Sequence, residues 1–276
     1  MSSQNMATPI KTILESLSLI SAAITLHLGE TNMNRSFIIY DGPSLIDGSP
    51  IVAIAQVKSG NRKTGDMVQT WILRSDIDPI TASRTGADTA ICGDCPHKGK
   101  PSDKETGWAK DRTCYVNLLF APNGVYKAYK RGAYDTANGH YAIAAIGNKR
   151  GVRLGSYGDP AAVPEYIWES LIAKSDYVTA YTHNPINPMP HKIMTSADNA
   201  AQAHSAWDKG ERTFRVISDL AQIIKGKEVL CPASDEAGNR ATCAACKLCG
   251  GNSVKAKSVA IVAHGASKRK AKELVQ

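Results

Sequence analysis

The sequence predicts an α/β protein in which parallel βα units form a partial or complete barrel-like sheet. From residue 152 onward, short β-rich apolar runs recur at 152–154, 177–181, 192–195, 213–217, 228–230 and 258–262. Helical stretches lie between several of them, at 163–173, 200–209 and 219–225. Strands that alternate with helices of this length are typical of βαβ units and a parallel sheet. An open, doubly wound sheet is the alternative arrangement.

The part of the chain before residue 91 has a different character. Apolar residues at helical spacing predict one amphipathic helix over 10–28, followed by strand-like runs at 37–40, 51–57 and 67–73. The run at 115–120 also reads as a strand. The glycine-rich basic turn over 59–66 lacks the first glycine of a phosphate-binding loop, which favours a plain hairpin. The predicted divisions are an N-terminal helical extension (1–32), a β-rich part (33–90), an α/β metal-binding core (91–267) and a basic tail (268–276).

Composition and charge limit the class of protein. The chain of 276 residues is 43% hydrophobic and has no apolar run of about 18 residues, so no membrane span is expected. The net charge of +8 comes from scattered basic residues, which favours a solvated surface over a nucleic-acid reader. Five of the seven cysteines lie in Cys-x2-Cys spacings, which predicts metal-binding thiolates in a reducing compartment such as the cytoplasm.

Polar clusters follow the predicted strands of the α/β core. Because the carboxyl ends of parallel strands share one face where ligands bind, these clusters predict a pocket. Helix capping is the alternative for the Asp, Ser and Asn residues, although His and Cys are not capping residues. Arg215 would pair with a carboxylate or phosphate of a ligand, or would form a structural ion pair. The candidate catalytic residues are Asp159, His183, Asp198 and Arg215.

The strongest chemical pattern is Cys231-x11-Cys243-x2-Cys246-x2-Cys249. Four thiolates can close a tetrahedral zinc site or hold a four-iron cluster. Two adjacent two-residue gaps are commoner in iron–sulfur proteins than in zinc fingers. The pattern therefore predicts a closed metal centre, with a 4Fe-4S cluster favoured over zinc.

A second set contains three cysteines, Cys92, Cys95 and Cys114, and therefore lacks a fourth thiolate. His97 could complete a structural Cys3His zinc site. Alternatively, the fourth position stays open, so that a small molecule coordinates an iron there. What fills this position is the main functional question that the sequence raises.

Several segments resemble an uncharacterised phage-encoded protein family, and the likeness runs from about residue 44 to residue 265. The segments are Ile91-Cys-Gly-Asp-Cys-Pro-His97, Thr113-Cys-Tyr-Val-Asn117, Asn61-Arg-Lys-Thr-Gly65, Gly155-Ser-Tyr-Gly-Asp-Pro160, Tyr181-Thr-His-Asn184 and the final cysteine cluster. This resemblance implies a protein of the host cytoplasm, with a host protein as a conceivable partner.

More distantly, the arrangement is similar to radical SAM enzymes. That resemblance implies that Cys92, Cys95 and Cys114 hold a cluster that binds S-adenosylmethionine, with Tyr115 beside the adenine. It also implies that Gly155, Ser156 and Gly158 belong to the turn that binds the cofactor, and that the last four cysteines hold an auxiliary cluster. The spacing departs from the family, because eighteen residues separate Cys95 from the third cysteine.

Two functions from different classes follow. The first is an iron–sulfur enzyme that resembles radical SAM enzymes and acts on an unidentified small molecule or nucleic acid. The second is a non-enzymatic zinc protein that binds nucleic acid or a host protein.

Overall fold

Eleven strands in two sheets form the framework of the computed structural model, which describes residues 35–58, 60–105 and 107–275. The helix predicted over 10–28 lies outside the described residues. The first sheet has the order β4-β1-β2-β3-β5-β6 and contains β1 (Ser36–Pro43), β2 (Pro50–Gln56), β3 (Met67–Arg74), β4 (Asp135–Thr136), β5 (Gly151–Tyr157) and β6 (Tyr177–Thr179). The second has the order β10-β11-β9-β8-β7 and contains β7 (Tyr181–Thr182), β8 (Met194–Ala197), β9 (Thr213–Ile217), β10 (Glu228–Leu230) and β11 (Ser258–Val262).

Helices lie between several of the strands. They are α1 (Pro79–Thr85), α2 (Thr89–Cys92), α3 (Ala121–Lys130), α4 (Gly139–Gly147), α5 (Glu165–Ile172), α6 (Ala200–Asp208), α7 (Cys243–Cys246) and α8 (Lys268–Leu274). The start of α1 shows why the chain turns helical there: the Asp78 carboxylate accepts the N–H groups of Ile80 and Thr81, and Pro79 occupies the first helical position.

Parallel pairing dominates from β5 onward, as the sequence predicted for residues 152 onward, and it also joins β3 to β5. β3 pairs with β5, β5 with β6, β7 with β8, β8 with β9, and β11 with both β9 and β10, all in parallel. One residue, Ala180, separates β6 from β7, so a single extended segment passes from one sheet into the other. The end of β7 meets the end of β5, because the N–H of His183 donates to the carboxylate of Asp159 (2.7 Å). The predicted parallel βα units are confirmed, whereas a closed barrel is not seen in the described part of the chain.

Two local predictions were wrong, and two helices were not predicted. The run 115–120 is not a strand, because the Asn117 side chain accepts the N–H of Leu119 (3.0 Å) and turns the chain into α3. The helix expected over 219–225 is reduced to a short 3-10 turn, Leu220–Gln222. The helix α4 was not predicted, and part of the segment called a basic tail forms α8.

The main core lies around the first sheet. β2 and β3 are buried along almost their whole length, and Trp168 of α5 is fully buried within the same cluster of apolar side chains. This cluster includes residues from both the predicted β-rich part and the predicted α/β core, so the two parts share one sheet and one core. No helix of the described residues is long and apolar enough to span a membrane.

Candidate metal centres at the strand ends

The loop that carries Cys92, Cys95 and Cys114 is called the first cysteine loop. It is attached to the end of β5. The N–H of Asp159 donates to the carbonyl of Ile91 (2.5 Å), which ties the residue before Cys92 to the turn after that strand. The N–H of Cys95 donates to the carbonyl of Cys92 (3.2 Å), and a 3-10 turn, Pro96–Lys98, follows directly. These bonds place Cys92 and Cys95 at the carboxyl edge of the sheet.

The long segment between the second and third cysteines folds back on itself. Lys100 and Lys110 exchange two backbone hydrogen bonds, of 2.8 and 2.9 Å, like a residue pair in an antiparallel hairpin. The N–H of Cys114 then donates to the carbonyl of His97 (2.8 Å). The third cysteine therefore lies beside the Cys-x2-Cys pair in space, despite the long gap in sequence.

The sulfurs of this loop lie in a buried environment. Burial, followed by the negative charges of Asp88, Cys95 and Cys114, raises the pKa of the Cys92 thiol well above its ordinary value. Burial also raises the pKa of the Cys114 thiol, and the Arg112 guanidinium opposes that shift. Since metals bind the thiolate, a cation at this loop would replace the thiol protons and remove the mutual repulsion of the sulfurs.

His97 does not face the three cysteines as a fourth ligand of a preformed zinc site. Its Nδ1 is 2.8 Å from Thr113 Oγ1, and its Nε2 is 3.3 Å from Asp198 Oδ1. Asp198 Oδ1 is also 3.3 Å from Nε2 of His183. His97 therefore belongs to a His–Asp–His group, which the sequence did not predict as a unit.

His183 and Asp198, which follow β7 and β8, lie together as expected for strand-end residues, and their catalytic role stays a prediction. Burial lowers the pKa of His183, but the Cys95 thiolate and Asp198 raise it more strongly, so the net shift is well upward. Burial raises the pKa of Asp198, but the two histidines lower it far below its usual range. The Cys95 sulfur is 3.9 Å from His183 Nε2, which joins the two groups.

Asp159 supports the site rather than pointing an unpaired carboxylate into it. Its two oxygens accept the N–H of His183 and the hydroxyl of Thr182, each at 2.7 Å, and it also caps the following turn through the N–H of Ala161 (2.9 Å). Asp159 is therefore a cap, as the capping alternative predicted, and it also holds His183 in place; its catalytic role stays a prediction.

The turn predicted to bind the cofactor, 155–158, packs mainly against other parts of the protein. β5 carries a bulge between Arg153 and Tyr157, and Gly155 adopts a φ of +66° there. The buried Ser156 hydroxyl donates to Gln69 (2.6 Å). A side chain at Gly158 would come within 2.6 Å of Ile72. Of the four predicted cofactor-binding residues, Tyr115 presents an exposed side chain, whereas Ser156 is turned inward.

Arg215 is not a ligand-binding residue of this site. Its guanidinium donates to both carboxylate oxygens of Glu228 (2.8 and 2.7 Å) and to the carbonyl of Gln222 (2.6 Å). Both charged side chains are buried. The structural ion pair, which was the alternative interpretation, is the correct one.

The second cysteine group consists of Cys231, Cys243, Cys246 and Cys249. Two of these residues begin and end the short helix α7. Cys231 follows β10 and is hydrogen-bonded to β11 through the carbonyl of Ala260 (2.8 Å). The N–H groups of Cys243 and Ala244 donate to the carbonyls of Lys63 and Thr64, at 2.9 and 3.0 Å. The predicted hairpin turn over 59–66 therefore holds the cysteine loop, a role that sequence reasoning missed.

All four thiols of this group lie within electrostatic range of one another. Burial raises the pKa of Cys249 to about 12, with Cys231, Cys243 and Cys246 adding to the shift and a hydrogen bond from Tyr181 opposing it. Lys63 lowers the pKa of Cys231 and Cys243, against the larger effect of burial. Cys231 and Cys249 also belong to a small apolar cluster with Val259 and Ile261.

Arg153 of β5 lies between the two cysteine groups. Its guanidinium donates to the hydroxyl of Tyr115 (2.7 Å), next to Cys114, and lies 5.8 Å from the ring centre of Tyr181. Burial lowers the pKa of Arg153, but Tyr115, Tyr181 and the Cys243 and Cys249 thiolates raise it overall. A charged residue in the middle of the apolar run Val152-Arg153-Leu154 is unusual. This feature of the sequence could have indicated that Arg153 has a buried functional partner.

Four buried side-chain polar atoms have no hydrogen-bond partner among the described residues, and besides Ser83 Oγ and His97 Nε2 they include two donors beside Cys92 and Cys114. These two donors are the Tyr157 hydroxyl and Arg112 Nε. Tyr157 is 4% exposed and lies within electrostatic range of Cys92 and Cys114, whereas the other guanidinium nitrogens of Arg112 bind the carbonyls of Cys114 and Val116. A buried donor without an acceptor costs about 1–3 kcal/mol, so both donors favour a bound group that accepts hydrogen bonds here.

No family model, curated protein or solved structure matches the chain. The likeness to a phage-encoded family and to radical SAM enzymes therefore stays a prediction. The geometry of the two cysteine groups is the basis for a functional assignment.

Proposed function

We propose that the protein is a redox metalloenzyme with two iron–sulfur centres. Cys92, Cys95 and Cys114 would hold a 4Fe-4S cluster with one iron open to a small molecule. Cys231, Cys243, Cys246 and Cys249 would hold a second, fully ligated cluster. The observation that carries the proposal is the pair of unsatisfied donors, Tyr157 and Arg112, beside the three-cysteine loop.

Those donors fit an iron–sulfur cluster chemically. The sulfurs of a cluster accept hydrogen bonds, and such bonds help to set its reduction potential. Tyr157 and Arg112 approach from β5 and from the returning loop, so they would contact the cluster from two different segments. A cluster would also supply the positive charge that the buried thiols of Cys92 and Cys114 require in their ionised form.

A single zinc ion and an iron–sulfur cluster require different separations between the ligand sulfurs. A tetrahedral zinc ion with bonds of about 2.3 Å brings its sulfur ligands to within about 3.8 Å of one another. In the described part of the chain, His97, His183 and Asp198 each have a ligand atom within 4.8 Å of the others. This group contains no cysteine. In an iron–sulfur cluster each cysteine binds a different iron, so the sulfurs lie further apart.

The surrounding residues suggest how a substrate would be handled. A cluster held by Cys92, Cys95 and Cys114 would supply single electrons to a bound substrate. Tyr115 is half-exposed at the edge of this centre, and its hydroxyl is held by Arg153. His183 and Asp198 lie beside Cys95, where they would contact a substrate at this centre. The buried Arg153 would screen the two centres from each other electrostatically.

S-adenosylmethionine is the molecule that the resemblance to radical SAM enzymes implies for the open iron. The returning hairpin supports this extension, because it brings Cys114 next to the Cys-x2-Cys pair without requiring tight sequence spacing. The inward-facing Ser156 does not support a side-chain contact from the β5 turn. Tyr115 is therefore the residue that we assign to the adenine.

Anaerobic purification followed by metal and sulfide analysis tests the proposal. We expect a brown protein with about eight irons and an equal amount of labile sulfide per chain. Titration with S-adenosylmethionine should then change the electron paramagnetic resonance signal of one reduced cluster but not the other. A colourless protein with about two zinc ions would contradict the proposal and favour the structural zinc protein.

Replacing Tyr157 with phenylalanine tests whether its hydroxyl donates a hydrogen bond to the cluster at Cys92, Cys95 and Cys114. We expect the iron content to be unchanged and the reduction potential of one cluster to fall by about 60 mV, since ~1.4 kcal/mol of hydrogen bonding would no longer favour its reduced form. Tyr126→Phe, which removes a hydroxyl from a different buried site, is the control. Equal potentials in the wild-type protein and Tyr157→Phe would rule out this contact.

A further inference from the structure

His97, His183 and Asp198 form a compact set of nitrogen and oxygen ligand atoms that is separate from the thiolates. Nε2 of each histidine is 3.3 Å from Oδ1 of Asp198, and the ligand atoms of all three residues lie within 4.8 Å of one another. His97 follows the first cysteine pair, whereas His183 and Asp198 follow β7 and β8. Three distant parts of the chain therefore converge on one point.

Neighbouring residues hold these side chains in place. Thr113 Oγ1 lies 2.8 Å from Nδ1 of His97, which leaves Nε2 directed towards Asp198. Asp159 accepts the backbone N–H of His183 (2.7 Å), and the backbone N–H of Asp198 donates to Gln202 Oε1 (2.7 Å). Fixing a histidine through its other ring nitrogen is typical of metal ligands.

Hydrogen bonding inside the group does not explain its geometry. His97 is 8% exposed, and its Nε2 has no hydrogen-bond partner in the described structure, although Asp198 Oδ1 lies 3.3 Å away. If His183 were protonated and paired with Asp198, the position of His183 would be explained. Nε2 of His97 would still lack a hydrogen-bond partner. Both distances of 3.3 Å match the edge of about 3.4 Å between ligands that bind one tetrahedral ion at about 2.1 Å.

We propose that His97, His183 and Asp198 bind a divalent first-row metal ion. Two imidazoles and one carboxylate suit zinc, ferrous iron and manganese, and three protein ligands leave a position for water or substrate. The ion would lie next to Cys95, whose sulfur is 3.9 Å from His183 Nε2. The active centre would then combine a thiolate-bound group with an ion held by nitrogen and oxygen ligands. This proposal does not depend on the iron–sulfur clusters.

Manganese binding tests this site, because Mn²⁺ prefers nitrogen and oxygen ligands over thiolates. Purified protein, dialysed against a chelator and assayed for retained iron, is titrated with Mn²⁺, and the free ion is measured by electron paramagnetic resonance. We expect one Mn²⁺ per chain, and binding at least tenfold weaker in His183→Ala and Asp198→Asn. His204→Ala, an exposed histidine on α6, should bind like the wild-type protein.

Asp198→Asn keeps the size of the side chain, so it decides the outcome if His183→Ala does not fold. Circular dichroism establishes that each variant is folded. Unchanged Mn²⁺ affinity in folded Asp198→Asn, or no Mn²⁺ uptake by the wild-type protein at millimolar concentration, would overturn the proposal. The iron and sulfide content reports separately on the clusters, so failure of the redox function and failure of this site give different results.

Discussion

Cys114→Ala is expected to lose roughly four of about eight irons per chain, whereas Cys249→Ala is expected to lose the other four. Cys114 belongs to a set of three thiolates, so its loss leaves two, which are too few to hold a cluster. Cys249 is buried in the apolar cluster of the second sheet and belongs to a separate set. Iron and sulfide analysis of anaerobically purified variants measures both losses.

The two variants serve as controls for each other. If the centres are independent, each variant keeps the visible absorption of the remaining cluster, and the response to S-adenosylmethionine disappears in Cys114→Ala alone. Full iron content in Cys114→Ala would show that the three-cysteine loop is not a ligand set. A response to S-adenosylmethionine that survives in Cys114→Ala would place its binding elsewhere.

Arg215→Met is expected to reduce the free energy of unfolding by about 3–5 kcal/mol. The substitution leaves the Glu228 carboxylate buried without its charged partner, because the two side chains of the pair are only 3% and 0% exposed. The double variant Arg215→Met/Glu228→Gln should recover much of this loss, since the neutral amide can still accept the N–H of Ile224. Urea unfolding followed by circular dichroism measures these changes.

Lys270→Ala is the control for that experiment. Its ammonium lies 3.7 Å from Asp111, and both side chains are more than half exposed, so its removal should change the unfolding free energy by less than about 0.5 kcal/mol. A loss below about 1 kcal/mol in Arg215→Met would mean that Glu228 finds another partner or takes up a proton. The metal content should be the same in Arg215→Met and wild-type protein, because the pair lies outside both cysteine groups.

The site was partly predictable because one rule of parallel sheets links sequence to space. Residues that follow successive strands meet at one edge, so His183 and Asp198 could be placed together before the structure was known. By the same rule Arg215 was predicted to line the pocket, and that prediction was wrong. Arg215 lies inside β9, where its side chain reaches the buried Glu228 instead of the strand ends.

The sequence by itself determined the alternation of strands and helices and the two groups of cysteines, because hydrophobic period and ligand spacing are local properties. Only the tertiary structure decided which distant residues meet. The Lys100–Lys110 pairing returns Cys114 to Cys95, and the turn at Lys63 holds the second cysteine group. Arg153 joins the two groups, and His97 turns away from the cysteines to Asp198. Each of these contacts joins residues ten or more positions apart through a backbone or side-chain contact, for which residue spacing carries no signal.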